Sequence, residues 1–401
     1  MSAWLTIIGI GDDGLENLPP ASRALLDQAE VVFGSKRILD HADLKEAEAI
    51  AWAPPLENAL AELLSKKGRK AVVLATGDPM LHGMGATLTR HMPPEDMTVI
   101  PAPSAFSLAA ARLRWPLQEV ECLSLHAHPV SLLQPHVQPG AKLIALTSSG
   151  DTVTEAAELL CSRGYGQSLL TVLEHMGGPD ERIATITAEK CAGETFADFN
   201  TLAIQCVAAP GAAVLPRVPG LPDDAFVHDG QLTKREMRTI TLAALGPTPG
   251  AVLWDVGAGC GSVAIEWMRA ERGAVAIAFE SNEERVKMIA QNAVALGAPG
   301  LEIVQGDAEE TLHGNDTPSA IFIGGAVDND TVFETCWDAL PPGGRLVANA
   351  VTLEGEAALY SRYADHGGEL VRIGISRADT VGNRTAMRPR MAVLQWRVTR
   401  E

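Results

Sequence analysis

The stretch that most constrains how this chain folds is "VLWDVGAGCGSVAIEW", residues 252–267. Its first residues are apolar, its centre is rich in glycine, and its end has the composition of the first turns of a helix. A strand that leads through a glycine turn into a helix is a common way to hold a small anionic or nucleotide-like ligand. The sequence therefore predicts an α/β sheet in which this turn lies at a ligand site.

The spacing of the glycines distinguishes between kinds of ligand. Gly257, Gly259 and Gly261 read G-x-G-x-G after Asp255, whereas a dinucleotide-binding turn reads G-x-G-x-x-G. The tighter form led by an acid resembles the S-adenosylmethionine (SAM) loop of class I methyltransferases. Glycine is needed where φ is positive or where a Cβ would clash. SAM is the expected cofactor, and a nicotinamide site or a plain tight turn are the alternatives.

Two acidic positions support a SAM site. Glu280 ends the next predicted strand, where a carboxylate can accept hydrogen bonds from both ribose hydroxyls. Asp307 follows the third strand, where its side chain and the Ala308 backbone are placed to meet the adenine edge. Taken singly, Glu280 could be a solvated strand end and Asp307 a helix N-cap. Their positions at the ends of successive strands favour the SAM site.

A proline-rich stretch divides the chain. With 401 residues, more than one hydrophobic core is expected. Four prolines, at 210, 216, 219 and 222, prevent regular helix and disfavour a central strand. We therefore predict a first domain over residues 1–208, a linker over 209–224 and a second domain over 225–401.

Both predicted domains show alternating strand and helix patterns, which is typical of α/β folds. Nine strand candidates precede the linker, with a division into two lobes near residue 117; they cover residues 6–10, 30–34, 71–75, 97–101, 121–125, 142–147, 169–174, 182–187 and 202–207. Seven follow it, the last two as an antiparallel pair; they cover residues 252–257, 276–280, 301–306, 320–325, 345–351, 369–375 and 392–398.

Charge and cysteine content limit the possible partners and compartment. The net charge is −18, and both sides of residue 210 are acidic, which argues against nucleic acid as a partner. The six cysteines have neither zinc-site spacing nor a disulfide framework, and no segment approaches the ~20 apolar residues of a membrane span. We expect a cytoplasmic protein that has no membrane partner. His126 and His128 lack a third ligand, so no metal is predicted.

Several motifs together resemble known families. The stretches "TIIGIGDDGLENLPPASRALLDQAEVVFGSKRIL", "GDPMLHGMG", "PSAFSLAAARL" and "LEHMGGPDERI" resemble the tetrapyrrole (corrin/porphyrin) methylases. The region from "DAFVHDGQLTKREMRTITLAAL" through "PGGRLVANAVTLEG" looks like the class I methyltransferase partner of cobalamin biosynthesis. The fused order is similar to the decarboxylating precorrin-6B C-methyltransferases, and the resemblance spans nearly the whole chain.

The resemblance implies both a fold and an activity. The fold would be a two-lobed tetrapyrrole methylase (class III) domain followed by a seven-stranded Rossmann-like class I methyltransferase domain. The activity would be SAM-dependent methylation of precorrin-6B at carbons 5 and 15, with loss of carbon dioxide from the ring C acetate, to give precorrin-8. The first domain would methylate carbon 5, and the second would methylate carbon 15 and support decarboxylation. Both families tend to assemble, so a homo-oligomer is expected.

The resemblance also implies residues that bind the cofactor. In the first domain these are Gly77, Asp78 and Pro79 in one loop and Ser104 and Ala105 in another. In the second domain Thr233 joins Asp255, the glycine turn, Glu280, Asp307 and Ala308 as predicted cofactor-binding residues. The loop that starts at Gly11 departs from the family pattern, because "GDDGLENL" replaces the proline-bearing loop of relatives.

The predicted substrate carries several carboxylates, which an acidic protein must bind with local cations. Arginine suits carboxylates through bidentate hydrogen bonds. Two clusters are candidates, one of Lys234, Arg235 and Arg238 and the other of Arg384, Arg388 and Arg390; the alternative is that they are solvated surface charges. No catalytic residue is predicted, since an enamine-like carbon of the macrocycle needs no strong base to become nucleophilic.

Three other functions compete with this interpretation. A methyltransferase that acts on RNA or protein could use the same folds, although an even acidic charge without a basic aromatic stripe disfavours RNA. A SAM-binding scaffold with one inactive domain and a nicotinamide oxidoreductase are the other two. Two SAM sites per chain would support the bifunctional enzyme.

Overall fold

The computed structural model describes residues 3–401. The chain forms two compact units, and the boundary between them is not a single point in the sequence. The first unit comprises Met1–Val130 and Pro139–Ala213, and the second comprises Ser131–Gln138 and Val214–Glu401. The short segment Ser131–Gln138 therefore lies within the first half of the sequence but belongs to the second unit.

The first unit contains two five-stranded sheets. The first sheet is wholly parallel, with the order β3-β2-β4-β1-β5, and its strands are β1 Leu5–Ile10, β2 Val31–Gly34, β3 Glu48–Ala51, β4 Ala71–Thr76 and β5 Met97–Ile100. The second sheet is mixed, with the order β6-β7-β10-β8-β9, and its strands are β6 Glu121–Ser124, β7 Lys142–Leu146, β8 Leu169–Glu174, β9 Arg182–Thr187 and β10 Asn200–Gln205.

The helices of this unit connect the strands and cover the sheets. They are α1 Pro20–Asp27, α2 Lys36–Leu39, α3 Leu56–Ser65, α4 Met84–Leu88, α5 Ala105–Leu113 and α6 Asp151–Ser162. Strands β1, β2 and β4 are buried on both faces, which explains why their sequences are continuous apolar runs rather than alternating ones. Strand β3 was not predicted, because it is short and largely exposed and so carries no apolar run.

The second unit is built on a seven-stranded sheet with the order β13-β12-β11-β14-β15-β19-β16. The first five of these strands are parallel, and β19 pairs antiparallel with both β15 and β16. All seven segments predicted after the linker form strands of this sheet. Their bounds are β11 Val252–Val256, β12 Val275–Glu280, β13 Glu302–Gln305, β14 Ala320–Ile323, β15 Arg345–Ala350, β16 Glu369–Ile373 and β19 Val393–Thr399.

Helices cover both faces of this sheet. Along β11, Leu253 and Trp254 alternate between two separate hydrophobic cores, as the period of two residues in a strand requires. The helices are α7 Arg235–Leu245, α8 Ser262–Ala270, α9 Glu283–Leu296, α10 Ala308–Thr311, α11 Asp330–Ala339 and α12 Leu353–His366. Among the described residues, no helix combines the length and the apolar character that crossing a bilayer requires.

An exposed hairpin of β17 Ser376–Val381 and β18 Arg384–Pro389 lies outside the main sheet. It was not predicted from the sequence, because nearly every residue in both strands is exposed and no hydrophobic alternation marks them.

Short 3₁₀ helices complete the secondary structure; they cover Leu15–Asn17, Pro94–Asp96, Leu117–Glu119, Val130–His136, Ala188–Lys190 and Asp223–Ala225. The fourth carries most of the segment Ser131–Gln138 into the second unit. There, Gln138 Nε2 donates to Leu215 O at 2.7 Å. Pro135 packs so closely on Gly297 that a Cβ on that glycine would lie 2.5 Å from Pro135 Cδ.

The order of the parallel strands places the glycine turn at a reversal of direction. From β11 the chain adds β12 and β13 on one side, and it then returns to add β14 and β15 on the other. In open α/β sheets, ligands bind outside the carboxyl ends of the strands at such a switch point. The turn after β11 lies at that position.

Candidate cofactor sites

The glycine turn packs closely against backbone atoms and an apolar side chain. Gly257, Gly259 and Gly261 all have positive φ, at 73°, 61° and 78°. A Cβ on Gly257 would lie 2.8 Å from Gly325 N, and one on Gly261 would lie 2.9 Å from Ile289 Cγ2. The turn therefore requires glycine both for its conformation and for its packing.

Glu280 at the end of β12 meets this turn. Its carboxylate is 6% exposed, and Oε2 accepts a hydrogen bond from Gly259 N at 2.8 Å. Oε1 accepts one from Asn282 N at 3.0 Å. A carboxylate has about four acceptor sites, so two remain for the hydroxyls of a ribose.

Asp255 lies behind the turn and is fully buried. Oδ2 accepts a hydrogen bond from Ala264 N at 3.0 Å, at the start of α8. Within residues 3–401, Oδ1 has no hydrogen-bond partner. Burial raises the pKa of Asp255 to about 7, and the nearby negative charge of Glu280 also raises it. The structure thus gives Asp255 the role of holding the turn against the helix.

The raised pKa predicts a pH dependence of stability. Between the ordinary pKa of 3.8 and about 7, the folded state binds a proton at Asp255 that the unfolded state has released. The free energy of unfolding should therefore fall as the pH rises through this range, by on the order of 4 kcal/mol. We expect Asp255→Asn to lose the part of this dependence that falls between pH 5 and pH 8, about 3 kcal/mol, measured by urea unfolding at the two pH values. Identical pH dependence in both proteins would contradict the assignment.

The remaining predicted SAM residues of the second unit lie in loops beside the turn. Gln231 O comes within 3.2 Å of the position that a Cβ on Gly259 would occupy, which brings the loop containing Thr233 to the turn. Gly306 N donates to Glu280 O at 3.2 Å, so the β13–α10 loop reaches the same edge. Asp307 there is exposed and precedes α10, but its side chain makes no capping hydrogen bond. Asp307 and Ala308 are therefore available to a ligand.

In the first unit, two predicted loops are in contact at the carboxyl edge of the parallel sheet. Gly77 has φ 67°, and its N–H donates to Ile10 O at 2.7 Å. A Cβ on Gly77 would lie 3.4 Å from Ser104 Cα. Ser104 caps α5 by accepting a hydrogen bond from Ser107 N at 3.1 Å, and Ala105 begins that helix. Both predicted loops of the first cofactor site are thus brought together.

Asp78 and Pro79 shape the same loop. Asp78 Oδ1 accepts a hydrogen bond from Met80 N at 2.9 Å, which forms a local turn. Pro79 O lies 2.8 Å from the positions that a Cβ on Gly83 and on Gly85 would occupy. The glycines therefore allow the chain to fold tightly back over Pro79.

The prediction that Arg238 binds substrate is wrong. Its side chain is fully buried, and Nε donates to Glu266 Oε1 at 2.6 Å. Nη1 donates to Thr233 O at 2.6 Å, and Nη2 donates to Leu221 O. With these donors satisfied inside the protein, the guanidinium holds α7 against α8 and the preceding loop, and is not presented to a ligand.

The other predicted substrate-binding cations are exposed. Lys234 and Arg235 lie at the start of α7. Arg384 and Arg388 lie on β18 of the exposed hairpin, and Arg390 follows it. Arg388 Nη1 is 3.0 Å from Asp379 Oδ2 on the neighbouring strand. These five cations are therefore exposed at the surface, with Arg388 paired to Asp379.

His126 and His128 lie in an exposed loop after β6, where His126 Nδ1 is 3.3 Å from Thr147 O. Within residues 3–401, no three metal-binding side chains come together.

One group of polar residues was not predicted. Asp12 Oδ2 lies 3.3 Å from His175 Nδ1, and Asp12 Oδ1 accepts a hydrogen bond from Arg37. The two partners Asp12 and His175 are 163 positions apart in the sequence, so no local pattern could have indicated the pairing.

Comparisons with known proteins relate the two parts of the chain to two families. Residues 4–192 match the family model of the tetrapyrrole (corrin/porphyrin) methylases, and residues 224–400 match that of the precorrin methyltransferase domain. Over 401 residues the chain is 46% identical to a precorrin-6Y C(5,15)-methyltransferase [decarboxylating] from Sinorhizobium sp. The match covers 100% of this chain and 97% of that relative.

Two shorter relatives each match part of the chain. A cobalt-precorrin-7 C(5)-methyltransferase from Salmonella typhimurium is 28% identical over 179 residues, which covers 45% of this chain and 88% of the relative. A probable cobalt-precorrin-6B C(15)-methyltransferase (decarboxylating) from Sulfolobus acidocaldarius is 32% identical over 143 residues, which covers 34% of this chain and 74% of the relative.

Proposed function

The chain belongs to the family of the decarboxylating precorrin-6Y C(5,15)-methyltransferases, and we propose that it methylates carbons 5 and 15 of the precorrin-6B predicted above, the compound that the relatives' name gives as precorrin-6Y, and removes the ring C acetate carboxyl to give precorrin-8. SAM would donate both methyl groups. The observation that carries the proposal is the full-length relationship at 46% identity. The two separate glycine-lined loop sites support it.

We further propose that the two units divide the work. The first would methylate carbon 5, and the second would methylate carbon 15 and support decarboxylation. The two shorter relatives support this division, since each is named for one of the two carbons and matches less than half of the chain. The corresponding domains would be residues 1–208 and 225–401, a two-lobed tetrapyrrole methylase and a Rossmann-like class I methyltransferase, joined by the linker 209–224.

The residues of each site suit SAM in different ways. In the second unit, the backbone of Gly257, Gly259 and Gly261 would lie along the methionine part, Glu280 would accept hydrogen bonds from the ribose, and Asp307 with Ala308 would meet the adenine. Thr233 would close that site. In the first unit, the loop Gly77–Asp78–Pro79 and the Ser104–Ala105 turn would hold the second molecule.

Chemistry at both sites would depend mainly on alignment. SAM, when bound, supplies an electrophilic methyl group for an in-line displacement. The acceptor is an electron-rich carbon of the macrocycle, so the protein's main task is to hold the carbon and the methyl group in line. Such positioning can contribute up to ~7–11 kcal/mol in the best cases. Decarboxylation leaves electrons that the conjugated ring accepts, and the substrate is its own electron sink.

Exposed cations would bind the carboxylates of the macrocycle, and we assign this role to Lys234, Arg235, Arg384, Arg388 and Arg390. Arg384→Ala or Arg388→Ala should raise the KM for the tetrapyrrole by roughly tenfold, because a charge-assisted hydrogen bond is lost, and should leave the Kd for SAM unchanged. Steady-state kinetics and calorimetry measure the two quantities. Arg372, which pairs with Glu356 on the same unit, provides the matched control as Arg372→Ala. An unchanged KM for the tetrapyrrole in both variants would contradict the substrate-binding role of these arginines.

The most direct test of the function is mass spectrometry of precorrin-6Y incubated with the protein and SAM. Two added methyl groups and one lost carboxyl are expected. Calorimetric titration should find two SAM sites per chain and no binding of NADH. A chain that binds SAM but does not change the tetrapyrrole would favour an RNA substrate or a scaffold instead.

We also propose a homo-oligomer in a reducing cytoplasmic compartment. The tendency of both resembled families to assemble supports the oligomer. All six cysteines are free thiols, which suits a reducing environment. Light scattering of the purified chain at the mass of a monomer would reject the oligomer.

A further inference from the structure

Asp12, Arg37, His175 and Phe199 form a compact group in the first unit, here called the Asp12–His175 group. Asp12 Oδ2 is 3.3 Å from His175 Nδ1, and its Oδ1 accepts a hydrogen bond from Arg37. The Arg37 guanidinium lies 4.2 Å from the centre of the Phe199 ring, and the His175 ring lies 5.5 Å from it. The Asp12 side chain is 9% exposed and that of His175 is 32% exposed. The carboxylate is thus fixed, and the imidazole it holds remains accessible.

This group lies beside the first cofactor site. Asp12 follows β1 by two residues, and the last residue of that strand, Ile10, accepts the hydrogen bond from Gly77 N at 2.7 Å. His175 directly follows β8. The group therefore joins the strand ends of both sheets of this unit, next to the loop that would hold SAM.

The backbone at His175 is held in an uncommon conformation. Its φ is 48°, which is unfavourable for a residue with a Cβ and persists where the surroundings enforce it. His175 N donates to Phe199 O at 3.1 Å, and His175 O accepts from Gly178 N at 2.9 Å. A Cβ on Gly178 would lie 2.6 Å from Asp12 Oδ2. The loop is therefore packed directly against the carboxylate.

A second contact fixes the far end of this loop. Glu181 accepts a hydrogen bond from Gly177 N at 2.7 Å and is also paired with Arg112. Arg112 belongs to α5, the helix that begins at the Ser104 turn of the cofactor site. The orientation of the His175 ring is thus tied to the same elements that position the cofactor loops.

The proposed methylation of carbon 5 releases a proton from that carbon, which requires an acceptor. When the macrocycle attacks the methyl group, the C5–CH₃ bond forms and the S–CH₃ bond breaks, with its electron pair staying on sulfur. Carbon 5 then carries both a methyl group and its original hydrogen. Conjugation returns only when the C5–H bond breaks, its electrons go back to the ring, and a base takes the proton.

We infer that His175 is the general base that removes this C5 proton, and that Asp12 orients its ring. This rests on the proposed assignment of C5 methylation to the first unit. With Nδ1–H donated to Asp12, the lone pair of Nε2 is the proton acceptor; no other hydrogen bond to this ring is present within residues 3–401. A carboxylate that fixes the tautomer and orientation of a histidine is a recurrent arrangement in acid–base catalysis. Arg37 holds the Asp12 carboxylate in place through its hydrogen bond to Oδ1.

The test uses the full-length chain with His175→Ala and precorrin-6Y carrying hydrogen or deuterium at carbon 5. Formation of the conjugated C5-methylated product, followed by absorbance, should slow by roughly 10²–10⁴-fold. In His175→Ala, that rate should show a primary deuterium isotope effect, because proton removal has become the slow step. The unaltered protein should show no such effect. Added imidazole should restore part of the rate. Asp12→Asn should show the same isotope effect with a smaller loss.

Controls separate a base from a structural residue. C15 methylation and the binding of two SAM molecules should persist in His175→Ala, which shows that the chain is folded, and His91→Ala, at an exposed site after α4, should behave like the unaltered protein. An unchanged C5 rate, or a slow rate without an isotope effect or imidazole rescue, would overturn the inference.

A different result would show that the proposed division of methylation between the two units is wrong, rather than the role of His175. Gly83→Ala, which would crowd Pro79 O in the first cofactor loop, should abolish methylation at carbon 5. If C5 methylation survives Gly83→Ala but is lost in Gly257→Ala, the division is wrong and the role of His175 fails with it. If Gly83→Ala stops C5 methylation while His175→Ala does not, only the base is wrong.

Discussion

Replacing Gly257 with alanine is expected to abolish SAM binding in the second unit, and with it C15 methylation and decarboxylation. The new Cβ would lie 2.8 Å from Gly325 N and 2.9 Å from Gly325 Cα, which are backbone atoms that cannot swing aside. The positive φ of 73° adds roughly 1–2 kcal/mol of strain. The turn must therefore shift away from Glu280. Calorimetry should find one SAM site per chain in place of two.

Gly250→Ala is the matched control for this experiment. Gly250 has nearly the same φ, 72°, but nothing lies within 4 Å of the position of its Cβ. It should cost a similar backbone strain and leave both SAM sites intact. C5 methylation should persist in both variants. If Gly257→Ala still binds two SAM molecules, the glycine turn is not a cofactor site.

Replacing Glu266 with alanine is expected to destabilise the second unit by about 3 kcal/mol, because it leaves the buried Arg238 guanidinium with only the part-exposed Asp223, at 3.2 Å from Nη1, as a counter-charge. Glu266 Oε1 accepts hydrogen bonds from Arg238 Nε at 2.6 Å and from Leu221 N at 3.0 Å, and Oε2 accepts one from Gly220 N at 2.5 Å. All of these donors would lose their acceptor. Urea unfolding gives the stability, and hydrogen exchange in α7 and α8 locates the change.

Two further variants test the cause of this loss. Arg285→Met breaks the half-exposed pair with Asp229 and should cost under about 1 kcal/mol. Adding Arg238→Met to Glu266→Ala should recover part of the stability, since the buried charge that lost its fully buried partner is then gone. A loss in Glu266→Ala no larger than that in Arg285→Met would show that the buried pair is not important for stability.

Elements with a strong apolar signature were predictable from the sequence. Strand β11 is a nearly continuous buried run, and the three glycines after it form the predicted turn with positive φ. Strand β3 and the hairpin β17–β18 were not predictable, because their residues are mostly exposed and nothing in their composition distinguishes them from loops.

The chemistry of individual charged residues was less predictable. Arg238 has the same sequence neighbourhood as the exposed Lys234 and Arg235, and its burial depends on Glu266, 28 residues further along the chain. The pairing of Asp12 with His175 likewise depends on how two sheets come together. Sequence patterns report whether a segment is buried more reliably than they report which charges meet there.

The segment Ser131–Gln138 has a consequence for how the protein is made. It leaves the ribosome about 160 residues before Gly297, against which Pro135 packs. At a synthesis rate of ~5–20 residues per second this is a delay of roughly ten to thirty seconds. During that interval the first unit can fold, while Ser131–Gln138 has been synthesised but the residues of the second unit against which it packs have not. The second unit can therefore be completed only when Ser131–Gln138, synthesised well before the rest of that unit, packs against Gly297.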